Sequence, residues 1–409
     1  MSVRRVDAAE LELGGGLELL VAAALEGVPP GGELEVELAS RAAALELPGW
    51  ARLAGHEVTA EHGGVVRLRR GQSGRTLAGD LDKRGEPLAA ADGRLGMNEV
   101  RDAFGPPPDH APADAGFVPI AAVAEAGGPA YSWRLNDRDR LWAAELSDLA
   151  ERAAAEQWDA TRDIPWEAAA GLPHDKERAV SQVMTYIAQN EYAALYVPAV
   201  FLPQVNPQYA EVLIWLSTHV RDEARHVEVF TKRALAGGMH SHALASTELS
   251  LRTLMEEHDF SNAALLLNVL GEGTFLDLLR FVERHAPDAA TAAVAKLAHR
   301  DERRHVHFGI SHVRRRIEGD PEAADALVAA AEARAAKLTS LPGLSPLVTE
   351  SLALMCTNSM QPADLADASA EVRGLLEVMG KNRRRRLRAA GFDQRTARYL
   401  SDLHTPNLM

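Results

Sequence analysis

Two six-residue stretches nearly coincide in this 409-residue chain: Arg221-Asp222-Glu223-Ala224-Arg225-His226 and Arg300-Asp301-Glu302-Arg303-Arg304-His305. Each is an Asp-Glu-x-x-His unit inside a stretch of helical periodicity. On a helix, a Glu and a His three positions apart share one face and can reach one point. Two copies 79 residues apart point to two equivalent helices related by a pseudo-twofold axis. A chain that folds around such a pair must pack helices side by side, with carboxylates and imidazoles turned toward a common interior.

The same arrangement, to hold two metal ions, needs one further Glu on each of two other helices. The sequence offers Glu191 in IAQNEYAALY and Glu272 in LLNVLGEGTFLDLL. Helical steps from Glu191 meet Val180, Met184, Ile187, Ala188, Ala194 and Leu195. From Glu272 they meet Leu265, Asn268, Val269, Phe275, Leu276 and Leu279. Each carboxylate therefore sits on a core-facing stripe, where an unpaired charge is expensive and must be protonated, paired or bound to a metal. Exposed glutamates on amphipathic helices would have polar neighbours at helical spacing; that pattern fits Glu228 and Glu283 but not these two. Spacing gives a separate check. Glu191 lies 12 residues before Pro203 and Glu223 lies 16 after Pro207; Glu272 lies 13 before His285 and Glu302 lies 13 after Ala289. At the α-helical rise, all four carboxylates stand roughly 20 Å from their turns, so two antiparallel hairpins would bring them to one level.

Helical patterning runs almost without interruption from Trp133. The expected helices cover 137–157, 176–202, 207–236, 241–257, 261–285, 289–317, 322–338 and 345–358, with more helix between 366 and 400. Pro203, Pro207, Pro287 and Pro321 fall at or between their ends, whereas Pro198 should kink or stop the second one. Residues 71–130, rich in Gly, Pro, Asp and Ala, are expected to be a linker with little structure. Residues 1–70 alternate strand-like and helix-like patterns in β-α-β-α-β order: a strand in VDAAELEL, a helix in LELLVAAALEGV, a strand in ELEVELAS, a helix in LPGWARLAGHEV ending at Gly55, and a strand in VVRLRRG. The expected fold is mainly α: a four-helix bundle over 131–320, helices of 321–409 packed on it, and a small N-terminal α+β domain.

The order Glu…Glu-x-x-His…Glu…Glu-x-x-His over about 137–317 resembles the carboxylate-bridged dimetal signature of the ferritin-like superfamily. It most resembles the branch of ribonucleotide reductase small subunits, their ligand-binding oxidase relatives and N-oxygenases, with DERRHVHFG (301–309) similar to the last metal helix of that group. The resemblance implies that Glu191 and Glu272 are terminal or bridging carboxylates, that Glu223 and Glu302 bridge two metals, and that His226 and His305 take one metal each. Asp222 and Asp301 would then accept the remaining N–H of the opposite histidine and fix its tautomer. His219 lies on the same face and is read as a hydrogen-bonded neighbour of the site rather than a seventh ligand. Some N-oxygenases carry an extra His on the second Glu-x-x-His helix; here that position is Ala298, with His299 one off. The N-terminal domain, through its element order and its PGW…LAGHEV segment, resembles the TusA/SirA-like sulfur carriers. Those have a Cys-Pro motif before the first helix, where this chain has Gly14-Gly15-Gly16. The resemblance implies a module without persulfide chemistry, used for docking or scaffolding.

Four carboxylates and two imidazoles suit iron or manganese, so two Fe ions are expected, with Mn or a mixed Mn/Fe pair as alternatives. Two divalent ions are neutralised by four carboxylates, which favours oxidation to the trivalent state and thus O2 activation for attack on a small organic substrate, with an electron donor as partner. Phe230 stands where the reductase subunits have their radical tyrosine, so a stored tyrosyl radical is not expected. Gly271, Gly273 and Gly309 flank the metal stripe and fit either room for O2 and substrate or close helix packing. The single cysteine, Cys356, excludes a rubrerythrin-type four-cysteine iron site and lies in an apolar stretch as an inert thiol. Ferritins are much shorter chains. A net charge of −14 weighs against nucleic acid as partner and so against tRNA hydroxylation; the basic run Lys381–Arg388 reads as a solvated helix face. No stretch is long and apolar enough to span a membrane and no signal-peptide core is present, so a cytoplasmic protein is expected. A homodimer is compatible with this reading, as is a carrier or protein partner for the N-terminal domain. The competing function is a dimetal protein without oxygenase activity: manganese catalase-like, metal-storing or carrier-binding.

Overall fold

In the computed structural model the chain divides into two compact units, Met1–Pro87 and Leu88–Met409. The residues described are 3–76, 88, 93, 95–113, 116–120, 122, 129–339 and 345–403. Much of the expected linker, and residues 404–409, lie outside them.

The N-terminal unit comprises β1 (Arg4–Asp7), α1 (Leu17–Glu26), β2 (Glu33–Glu37), α2 (Arg41–Leu53), β3 (Glu57–His62) and β4 (Val65–Arg69). The sheet order is β1-β2-β4-β3, with β1 and β2 parallel and the other pairs antiparallel. Alternation along β2 and β4 turns Leu34, Val36, Val66 and Leu68 inward against Leu17, Val21 and Leu25 of α1 and Ala43 and Leu47 of α2. On the other face Glu35 is buried and paired with Arg5 and Arg67.

Three details differ from the sequence expectation. The first strand stops at Asp7, whose carboxylate accepts the Ala9 N–H. The second helix begins at Arg41, where the Ser40 hydroxyl accepts the Ala43 N–H, and runs through Pro48 instead of starting beside it. Finally, β3 is an additional strand: Glu57–His62 is mostly exposed, carries no apolar alternation, and pairs with β4 across a Gly63-Gly64 turn with both φ positive.

The larger unit is helical. Within the segment expected to be an unstructured linker, Met97–Phe104 forms a helix, α3. Then follow α4 (Leu146–Ala155), α5 (His174–Phe201), α6 (Ala210–Ala236), α7 (Ala245–Met255), α8 (Phe260–Ala263), a π-helical segment (Ala264–Glu272), α9 (Gly273–Arg284) and α10 (Ala289–Gly319). Caps set several starts: Asp259 accepts the N–H groups of Ser261 and Asn262, and Asp288 that of Thr291. α5 continues past Pro198 without stopping. α5 packs on α6, the π segment and α9 pack on α10, and α6 packs on α10, which gives the expected bundle. Arg233, fully buried on α6, ties three elements through Glu177 of α5 and Asp288 and Thr291 at the start of α10.

Outside the bundle, α11 (Pro321–Leu338) packs on α10, α12 (Pro346–Cys356) on α5, α13 (Pro362–Ala389) on α9, and α14 (Gln394–Leu403) on α13 and α11. The basic run on α13 is not all solvated. Arg383 is buried and donates to the Ser401 carbonyl, and Arg386 pairs with Asp277. Among the described residues no helix is long and apolar enough to cross a membrane.

Candidate metal centre

The π segment and three long helices deliver the predicted side chains to one place. Glu191 comes from α5; His219, Asp222, Glu223 and His226 from α6; Glu272 from the end of the π segment; Asp301, Glu302 and His305 from α10. All are at least nine-tenths buried. Glu228, by contrast, is exposed and paired with Lys232.

Glu223 and Glu302 each face both imidazoles. Glu223 Oε2 is 3.4 Å from His226 Nδ1 and its Oε1 is 2.8 Å from His305 Nδ1. Glu302 Oε1 is 3.3 Å from His226 Nδ1 and its Oε2 is 3.4 Å from His305 Nδ1. Glu191 stands on the His226 side at 3.9 Å and Glu272 on the His305 side at 4.0 Å. Two four-residue groups result, each with one ligand atom per residue within 4.8 Å of the others. One is Glu191, Glu223, His226 and Glu302; the other is His219, Glu223, Glu272 and His305.

Within these groups His219 Nε2 and Glu272 Oε1 are hydrogen-bonded at 3.1 Å, but most of the other atoms approach one another without a hydrogen bond. Both Glu223 oxygens, Glu191 Oε1, Glu302 Oε2 and the Nδ1 atoms of His226 and His305 are buried with no hydrogen-bond partner. Buried polar atoms are normally satisfied, and six that converge while unsatisfied fit a pair of cations at the two points they face. The donor set, oxygen-rich with imidazole, fits ions such as iron or manganese.

The electrostatics carry the same strain. Burial and the neighbouring Glu223 push the Glu191 carboxyl well above the usual carboxylate range, and burial with the Glu302 charge raises that of Glu272. Burial also works against the Glu223 carboxylate, but the imidazoles, His226 foremost, outweigh it and hold it low. For His226 and His305 burial favours the neutral ring, and the surrounding carboxylates override it upward. Protons thus stand in for the positive charge that the cluster calls for.

His226 Nε2 lies 3.4 Å from Asp301, within a weak hydrogen bond, whereas His305 Nε2 lies 3.5 Å from Asp222 without one, each pair crossing between the two repeats. What the sequence reading missed is the plate that holds these aspartates. Arg225 donates to Asp222 and to Asp301 at 2.6 Å, and Arg304 donates to the same two carboxylates at 2.9 and 2.7 Å. Trp158 Nε1 donates to Asp301 at 2.6 Å and stacks beneath the Arg225 guanidinium. A signal for the arginines was present, since both occupy the fifth position of the repeated hexapeptide.

Of the three glycines, Gly309 serves close packing, because a Cβ there would meet Asn268 Cβ at 2.5 Å. Gly273 likewise faces Arg386. Gly271 lines a cavity of about 20 Å³ with Asn190, Glu191, Leu267, Glu272 and Glu302. A second cavity of about 20 Å³ lies on the other side, among His219, Asn268, Leu267, Phe260 and Phe308. Phe230 is buried beside His226. Cys356 donates to the Leu352 carbonyl, and burial pushes its thiol up to about 11, which fits the inert thiol expected.

No protein-family model matches the sequence, and a search of curated proteins finds no match. Among solved structures the chain is similar to variants of an R2-like ligand-binding oxidase. One with an aerobically reconstituted Mn/Fe cofactor is 18% identical, with a TM-score of 0.41, covering 59% of this chain and 94% of that one. Another, with an anaerobically reconstituted Mn/Fe cofactor, is 16% identical with a TM-score of 0.45, covering 62% and 94%. A third, with an aerobically reconstituted Fe/Fe cofactor, is 18% identical with a TM-score of 0.45, covering 61% and 94%.

Proposed function

We propose that Glu191, Glu223, His226, Glu272, Glu302 and His305 hold two iron ions, with manganese as an alternative occupant, and that the protein is an O2-dependent oxidoreductase for a small organic substrate. The observation that carries this reading is the convergence of buried, unsatisfied carboxylate and imidazole atoms on two adjacent points. When bound, such a metal pair supplies electrons to O2 and so the oxidising power for the reaction.

The chain's own residues set the conditions. Four carboxylates balance two divalent charges inside a dry core. Asp301 and Asp222 stand beside Nε2 of His226 and His305 and would keep the ring protons there, so that the Nδ1 lone pairs face the cluster. Leu267, Phe260 and Phe308 keep bulk water from the His219 side. The two cavities hold roughly one small molecule of water or O2 size each, so a larger substrate needs side chains to move. That size also favours a second reading, peroxide disproportionation by a dimanganese centre. We further propose that the N-terminal unit is a docking module like the sulfur carriers it resembles, with Gly14–Gly16 in place of their cysteine.

The test is metal analysis of the wild type and a Glu191→Ala, Glu272→Ala variant, followed by anaerobic Fe(II) loading and exposure to O2. About two irons per wild-type chain, lost in the variant, with a transient visible absorption on mixing with O2, is the expected result. Absence of iron and manganese uptake would remove the catalytic reading. O2 release from peroxide by the manganese form, without O2 consumption by the iron form, would favour the second one.

A further inference from the structure

The two repeats align in sequence at an offset of 79 positions, Asp222 with Asp301, Glu223 with Glu302, Arg225 with Arg304 and His226 with His305. One turn before Glu223 that equivalence fails. His219 on α6 corresponds to Ala298 on α10, and both are buried. The imidazole of His219 therefore enters the cluster from one side only.

We propose that His219 is itself a ligand, through Nε2, of the ion on the His305 side, so that one metal takes two imidazoles and the other takes one. This rests on the dimetal reading above. Three observations place the ring. Its Nε2 is 3.1 Å from Glu272 Oε1 and 3.6 Å from Glu223 Oε1, the carboxylate oxygens that also face His305. Its ring stacks on that of His305 with centroids 3.9 Å apart, and Trp215 stands 6.0 Å away, so the ring is held in this orientation. The Glu272 carboxylate already accepts a hydrogen bond on Oε2 from Asn268 at 2.7 Å, so it needs no histidine donor to fix its pose. A neutral imidazole adds a donor atom to the ion without changing the charge balance of four carboxylates and two divalent ions. The consequence is two unequal sites in a nearly symmetric frame.

Anaerobic loading with 57Fe(II) tests the assignment through binding isotherms and Mössbauer spectra of the wild type and His219→Gln. Glutamine keeps an N–H that can reach Glu272 but is a weaker ligand than imidazole. The expected wild-type spectrum has two distinct quadrupole doublets of equal area. In His219→Gln one doublet shifts while the other stays, and one of the two binding steps weakens by roughly 10- to 100-fold or more, the loss typical of disturbing even a ligand's supporting partner. Two irons bound with unchanged affinity and an unchanged spectrum would show that His219 is only a hydrogen-bond partner and overturn the assignment. A wild type that binds no iron overturns the dimetal reading along with it. If His219→Gln does not fold, the wild type labelled with 15N-histidine decides. In its mixed-valence state, electron–nuclear double resonance should count three coupled imidazoles, and two would overturn the proposal.

Discussion

At the scale of single residues, the buried cluster is held by the partners of its charged side chains as much as by the proposed ligands themselves. Asp222 and Asp301 are buried between two arginines, and burial alone would raise both carboxyls. The imidazoles they face, His305 and His226 respectively, outweigh it and keep both well below the usual carboxylate range. Removing one charge from this plate leaves Arg225 and Arg304 sharing a single carboxylate, and breaking a buried pair in this way costs roughly 3–5 kcal/mol. Asp301→Asn is therefore expected to lower the unfolding free energy of the metal-free protein by about that much in urea titration. It should also lower Fe(II) affinity by about 10- to 100-fold, because His226 then faces a neutral amide in place of the charged acceptor that orients it. Wild-type stability in Asp301→Asn would mean that the four-charge plate is not what holds the two repeats together.

At the scale of elements, α10 and the π segment approach each other closely at Gly309. An added Cβ would lie 2.5 Å from Asn268 Cβ and 3.3 Å from the Ala264 carbonyl oxygen, both on the π segment, so backbone must move. Gly309→Ala should cost about 1–3 kcal/mol, the usual range for overpacking. It should also disturb iron binding through the Asn268–Glu272 hydrogen bond; paired urea and Fe(II) titrations read both. An unaltered protein would show that the segment yields freely. The π geometry was not legible in the sequence. Residues 264–272 are apolar at nearly every position and all buried, so a period of 3.6 and a wider turn predict the same burial. The strand β3 escaped notice for the opposite reason, as its exposed residues leave no alternation to read. The long helices were legible because caps and prolines mark their ends. Of the six proposed ligand positions, four stood out through the repeated hexapeptide, and Glu191 and Glu272 because a Glu on an otherwise apolar face has few structural explanations. The arginine plate needed three-dimensional information, since a basic residue beside an acidic one reads equally well as a solvated pair.

At the scale of the whole molecule, a buried histidine outside the centre makes stability depend on pH in a definite direction. His312 of α10 is fully buried; its Nδ1 donates to the Trp142 carbonyl at 2.8 Å and its Nε2 lies 2.9 Å from the Ser261 hydroxyl, joining α10 to α8 and to the segment before α4. Burial pushes its pKa down to about 4, with Arg316 and Arg315 adding to the effect and the Trp142 carbonyl and Asp259 opposing it. In the unfolded chain an ordinary histidine titrates near 6.5. Between these values the unfolded state binds more protons than the folded one, so stability must fall as pH is lowered through that window. The full difference corresponds to roughly 3 kcal/mol, complete once pH drops below about 4. Other carboxylates and imidazoles titrate in the same range, so the comparison that isolates His312 is with His312→Gln. That variant is expected to be less stable at pH 7, where it loses the fitted ring, yet to lose less additional stability between pH 7 and 4.5. Equal slopes for the two proteins in urea unfolding across that range would show that His312 is protonated in the fold and that its burial does not govern acid sensitivity.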